Sequence, residues 1–142
     1  MKSIYSVLFV DNEIHMLNSL KRELQGENYF CFFAESANNA LKIMKQEKIN
    51  VIITDIKMPD IDGLALLREV KRLYPDVVRL LLSDCQDIEN ILPEINKIEI
   101  LNFIPKPSKI DEKFKLLVHQ AIKYYIFQNE NSEKALLWVA NC

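Results

Sequence analysis

Glycine is scarce: the 142 residues contain only two, Gly26 and Gly63. Neither GxGxxG nor GxxxxGKS/T can be written in the chain, which excludes the Gly-rich loops that cradle phosphates with main-chain amides. Cysteine is thin as well. Cys31, Cys85 and Cys142 stand far apart and are odd in number, with no CxxC pair or Cys/His cluster to hold a metal. That usage fits free thiols in the reducing cytoplasm. No charge of one sign dominates, because 18 basic residues face 20 acidic ones for a formal net charge of -2. Without a basic field or stripe there is nothing to draw in nucleic acid directly. Long hydrophobic runs are absent too. The longest, such as residues 29–34, are about six residues, far short of the roughly twenty that a membrane span requires. Met-Lys-Ser-Ile-Tyr leads straight into a strand-like segment with no signal-peptide core.

What is present suits one packed domain. Hydrophobic residues make up 49% of the chain and charged ones 27%, the balance of a globular protein of this length. Short apolar runs at residues 4–10, 29–34, 51–54, 77–82 and 100–104 read as strands, several apolar almost throughout, as in a parallel sheet covered on both faces. Helical stripes lie between them: Met16, Leu17, Leu20 and Leu24; Ala37, Ala40, Leu41 and Met44; Leu66, Leu67, Val70 and Leu73; Ile88, Ile91, Leu92 and Ile95. A fifth, Phe114, Leu117, Val118, Ala121, Ile122 and Tyr125, has the cleanest helical period. Pro93 should end or kink the fourth helix. Five β–α units with short connections imply a right-handed, doubly wound α/β sandwich, (βα)5. In such sheets the ligand site lies beyond the carboxyl ends of the strands.

Reactive residues collect at those ends. The first strand runs into Asp11-Asn12-Glu13, the third into Asp55-Ile56-Lys57-Met58-Pro59, the fourth into Ser83-Asp84 and the fifth into Lys106-Pro107. A carboxylate can attack phosphorus in line to give an acyl phosphate. The transition state spreads charge over three oxygens, which an ammonium, a hydroxyl and a hard divalent cation can neutralise. Each residue alone has a plainer role. Asp11 or Ser83 could cap a helix, Asp55 could be a turn residue before a proline, and Lys106 could be a solvated loop lysine. Their coincidence on four strand ends favours one shared site.

Val-Asp-Asn-Glu, Asp-Ile-Lys-Met-Pro-Asp-Ile-Asp-Gly, Leu-Leu-Ser and Pro-Lys-Pro resemble, in order and spacing, the signature segments of response-regulator receiver domains. The likeness covers residues 4 to 126. It implies a flavodoxin-like five-stranded parallel sheet in the order 2-1-3-4-5, with Asp55 as phosphoacceptor. It further implies that Asp11, Asn12, Asp55 and the backbone carbonyl of Lys57 hold Mg2+ or Mn2+, and that Ser83 and Lys106 contact the phosphoryl group. Lys106-Pro107 would be a cis peptide, and Phe103 would be the aromatic switch residue that follows Ser83. Two positions depart from the family. Asn12 stands where a second acid is usual, which removes a negative charge from the metal site, and Phe103 lacks a tyrosine hydroxyl. Glu13 could compensate for Asn12, although a glutamate starting a helix more often serves the helix dipole.

The resemblance implies a signalling switch rather than an enzyme, catalysing only its own phosphorylation and slow dephosphorylation. Its partners would be a sensor histidine kinase or a phosphotransfer protein, with a homodimer possible through the face of the fourth helix, fifth strand and fifth helix. The alternatives are a pseudo-receiver that cannot be phosphorylated and acts as an interaction module, an aspartyl-phosphate hydrolase, and a flavodoxin-like electron carrier. The hydrolase would need a carboxylate where Lys57 stands. The electron carrier would need a hydroxyl- and glycine-rich loop in place of Asp-Asn-Glu-Ile-His. Residues 127–142 form an extension of the fifth helix or a tail, a possible linker to an effector, in which Leu136, Leu137 and Trp138 make an apolar segment. Residues 78–83 with 104–107 are similar to receivers that precede HD-type cyclic-di-GMP phosphodiesterases, and no such effector is expected within these residues.

Overall fold

The computed structural model describes residues 4–83, 85–107 and 109–130, and for residues 85–88 the backbone alone. Strands β1 (Ser6–Val10), β2 (Phe30–Ala34), β3 (Val51–Asp55), β4 (Val78–Ser83) and β5 (Asn102–Pro105) alternate with helices α1 (Ile14–Glu23), α2 (Ala37–Gln46), α3 (Gly63–Leu73), α4 (Cys85–Ile98) and α5 (Glu112–Asn129). All strands pair in parallel, in the order β2-β1-β3-β4-β5. The expected doubly wound sandwich is therefore observed, order included.

The alternation of side chains along each strand divides the core in two. Val7, Phe9, Val51, Ile53, Val78, Leu80 and Leu82 point to one face and pack with Leu17 and Leu20 of α1 and Phe114, Val118 and Ile122 of α5. Leu8, Val10, Ile52 and Leu81 point to the other, against α2, α3 and α4. Each of these side chains, fully removed from water, contributes about 1.5–3 kcal/mol. Helices α2, α3 and α5 start on side-chain caps: Ser36 accepts from Asn39 N at 3.1 Å, Asp62 from Ala65 N at 2.8 Å and Asp111 from Phe114 N at 3.0 Å. Such a cap satisfies a donor that the first turn leaves orphaned.

Three expectations need correction. Pro93 does not end α4, which runs through it to Ile98. Proline removes one intrahelical bond, but the following turn is held from outside: Lys71 Nζ donates to Lys97 O at 2.7 Å, and Arg68 meets Glu94 at 3.1 Å. The first strand begins at Ser6, with Ile4 exposed, and the fifth begins only at Asn102. Residues 99–100 instead close α4, Glu99 adopting φ 57° while Ile100 N donates to Ile95 O at 3.1 Å. No cis peptide occurs among the described residues. Lys106-Pro107 is trans, the isomer an X-Pro bond favours by about 0.5–1 kcal/mol. Helix α5 runs on to Asn129, three residues beyond the span of the resemblance, and Leu136, Leu137 and Trp138 lie outside the described residues.

Candidate functional site at the carboxyl rim of the sheet

Strand register builds the site. Val10 lies beside Thr54, Asp55 beside Leu82, and Ser83 beside Pro105. Asp11, Asp55, Ser83 and Lys106 therefore leave the sheet at nearly one level, although 95 positions separate the first from the last. The loop after β3 is folded back by Gly63, whose N–H donates to Ile56 O at 2.8 Å. A Cβ at Gly63 would stand 1.9 Å from Asp55 O. Only glycine lets the start of α3 press against the main chain that carries Asp55.

Lys106 reaches across this rim from the end of β5. Its Nζ lies 3.0 Å from Glu13 Oε1, 3.1 Å from Asp55 Oδ2 and 3.2 Å from Asp11 Oδ2. An ammonium has three N–H donors, and here three carboxylates surround it. Burial alone would lower the Lys106 pKa, but the hydrogen bonds to Glu13 and Asp55 and the charge of Asp11 outweigh it and hold the group well above the ordinary lysine value. Asp55 is buried, its Oδ1 accepting from Ile56 N at 2.8 Å. Asp11 is 1% exposed, and burial pushes its carboxyl upward against the opposing pull of the Glu13 N–H and Lys106. The Glu13 N–H binds Asp11 Oδ1 at 2.9 Å. Asp11 Oδ2 has no aligned hydrogen-bond donor among the described residues, so its contact with Lys106 is an ion pair.

The other expected residues are placed less directly. Asn12 is exposed, and no partner for its amide is found among the described residues. Lys57 is exposed just beyond β3. Ser83 is buried, its hydroxyl without a partner among the described residues and its carbonyl accepting from Lys106 N at 3.2 Å. Phe103 is half-buried and packs with the α2–α3–α4 side of the core. Ser83 and Phe103 share that sheet face, since Leu81 and Phe103 are register partners and Ser83 follows Leu81 by two. Glu13 does more than serve the helix dipole. It stands at the N-cap of α1 without a side-chain cap bond and spends its carboxylate on Lys106 instead. The one sequence signal for this is its place beside Asp11 at a strand end.

A divalent cation fits these residues in kind. Among the described residues no three His, Cys, Asp or Glu side chains cluster as a metal cage. Two carboxylates, an amide oxygen and a main-chain carbonyl nevertheless match Mg2+, which prefers hard oxygen ligands and keeps several waters. The buried Asp11 Oδ2, lacking an aligned donor, is an oxygen with capacity to spare.

The response-regulator receiver domain family matches residues 7–118. Among characterised relatives, the DNA-binding transcriptional regulator NtrC of Proteus hauseri is 31% identical over 138 residues, 96% of this chain and 29% of that protein. The hydrogenase transcriptional regulatory protein HoxA of Bradyrhizobium diazoefficiens is 30% identical over 125 residues, 88% of this chain and 25% of its own length. The chain thus spans less than a third of these relatives. Among solved structures, the signal receiver domain of an HD domain-containing protein from Pseudomonas fluorescens Pf-5 aligns with TM-score 0.78 and 29% identity, over 85% of this chain and 96% of that one. The response regulator TrrA of Thermotoga maritima in complex with Mg(2+)-BeF gives TM-score 0.70 and 26% identity, over 83% and 99%. The chain belongs to the response-regulator receiver domains of two-component signal transduction.

Proposed function

We propose that this receiver domain is switched by phosphorylation of Asp55. The observation that carries the proposal is the convergence of Asp55, Asp11 and Lys106 from three strand ends onto one ammonium. An Asp55 carboxylate oxygen attacks phosphorus in line. If the donor is a phosphohistidine, the P–N bond breaks and its electron pair leaves on the imidazole nitrogen. Lys106, already against Asp55 Oδ2, lies where it can neutralise the transferred oxygens. Asp11, Asn12, Asp55 and the Lys57 carbonyl would hold Mg2+ or Mn2+, which supplies charge neutralisation between Asp55 and the incoming phosphoryl group. The neighbour solved with Mg(2+)-BeF supports the choice of cation.

The response follows from Ser83. Its buried hydroxyl lacks a partner among the described residues, so a phosphoryl oxygen at Asp55 offers it the hydrogen bond it is missing. Moving toward Asp55 leaves room on the sheet face that Phe103 shares. Phe103 turns inward, and the surface of α4, β5 and α5 changes its partner preference, a population shift between two arrangements. The donor is a sensor histidine kinase or phosphotransfer protein. The output belongs to an effector or to a homodimer through that same surface. Incubation with acetyl phosphate and Mg2+ should add one phosphoryl group by intact mass, lost on hydroxylamine treatment and absent in Asp55→Ala. An unmodified wild type, or a modified Asp55→Ala, contradicts the proposal.

A further inference from the structure

Glu13 has a task that its place on α1 does not explain. It begins the helix without capping it, its side chain is 60% exposed, and it still closes on Lys106 Nζ at 3.0 Å, the shortest of the three carboxylate contacts. Between it and Asp11 stands Asn12, which carries no charge. Three carboxylates, those of Asp11, Glu13 and Asp55, surround the one ammonium of Lys106. Two negative charges are left over, matching one divalent cation. Remove Glu13 and only one remains. Lys106 would also keep just the two carboxylates that the cation needs, Asp11 and Asp55.

We infer that Glu13 is a positioning residue that sets the divalent-cation affinity of the rim, by competing with Asp11 and Asp55 for the Lys106 ammonium they share and supplying the negative charge that residue 12 lacks. The inference rests on the assignment of Asp11 and Asp55 to the cation site. It asks for no direct Glu13–metal bond, since the carboxylate acts through Lys106. Electrostatic support of this kind comes from an exposed group and is screened by salt, because the Debye length falls from about 10 Å at 0.1 M to about 3 Å at 1 M. A ligand lost from the metal itself would cost affinity at any ionic strength.

The test is a Mn2+ titration of the whole chain, followed by electron paramagnetic resonance of the free ion, on wild type, Glu13→Gln and Asn12→Asp/Glu13→Gln at low and high NaCl. Glu13→Gln should weaken Mn2+ binding about fivefold at 50 mM NaCl, shrinking to under about twofold at 1 M. Asn12→Asp in that background should restore wild-type binding or better. Thermal unfolding of the metal-free Glu13→Gln protein checks that the variant folds. Unchanged affinity in Glu13→Gln, or a loss that persists at 1 M NaCl, overturns the role of Glu13 and leaves the cation site standing. A wild type that takes up no Mn2+ overturns both.

Discussion

Two cations, one buried and one half-buried, sit at opposite ends of the sheet and are held in different ways. Among the described residues the Lys106 ammonium, at the carboxyl rim, meets only carboxylates, and one of the three is largely exposed. Arg79, near the start of β4, is 5% exposed and meets main-chain carbonyls: Ile98 O at 2.9 Å, Val77 O at 2.9 Å, Pro75 O at 3.2 Å and Glu99 O at 3.3 Å. Burial lowers the Arg79 pKa, whereas the acids around Lys106 raise that of the lysine. Arg79 spends its donors on the end of α4 and the α3–β4 turn, with the exposed Glu99 carboxylate 3.7 Å away. Lys106 stands among atoms that an incoming phosphoryl group and cation would also claim. Burial alone does not mark a functional charge; what occupies its donors does.

The comparison can be broken at either end. Arg79→Met should cost about 3 kcal/mol or more in urea unfolding, because four carbonyls lose their donor, while the folded fraction accepts phosphoryl groups at the normal rate. A loss under 1 kcal/mol would remove Arg79 from its structural role. Lys106→Met should strike the chemistry, slowing acetyl phosphate-driven phosphorylation about a hundredfold or more per folded molecule, because the ammonium beside Asp55 is gone. Asn12→Asp should tighten Mn2+ binding by about tenfold, since it adds a full charge at the cation site; an unchanged titration would place residue 12 away from the metal.

Smaller effects sharpen the picture. Tyr5 donates to Glu130 at 2.5 Å, tying the end of α5 to the sheet, and burial with that carboxylate raises its pKa. A tyrosine raised in the folded state keeps its contribution below the ordinary value of about 10 and loses it as pH climbs from there. Denaturation followed from pH 9 upward should show a shallower alkaline decline for Tyr5→Phe than for wild type, and equal slopes would deny the linkage. Ser83→Ala should leave stability within about 0.5 kcal/mol, because its hydroxyl has no partner to lose among the described residues. A drop of 2 kcal/mol would show that Ser83 is already engaged before phosphorylation.

Much of this was legible in the residues. Fully buried parallel strands read as continuous apolar runs, so β1, β3 and β4 were visible within a residue or two, and their carboxyl ends named Asp11, Asp55 and Ser83, as the end of β5 named Lys106. Amphipathic spacing overreached at Leu73 and Leu92, both exposed, because a helical period does not say where a helix overhangs the layer beneath it. Arg79, one charge inside Val-Val-Arg-Leu-Leu-Leu, could have been flagged as needing a buried partner, but its partners are carbonyls that no side-chain pattern records. Glu13 was harder still. Its contact depends on the reach of a lysine 93 residues away.

The most direct measurement is the location of the phosphoryl group. Borohydride reduces an acyl phosphate on aspartate to homoserine, which peptide mapping can place along the chain. After treatment with acetyl phosphate and Mg2+, homoserine should appear at position 55 and nowhere else. Homoserine at another aspartate, or none in a protein that has folded and taken up the cation, would contradict the switch.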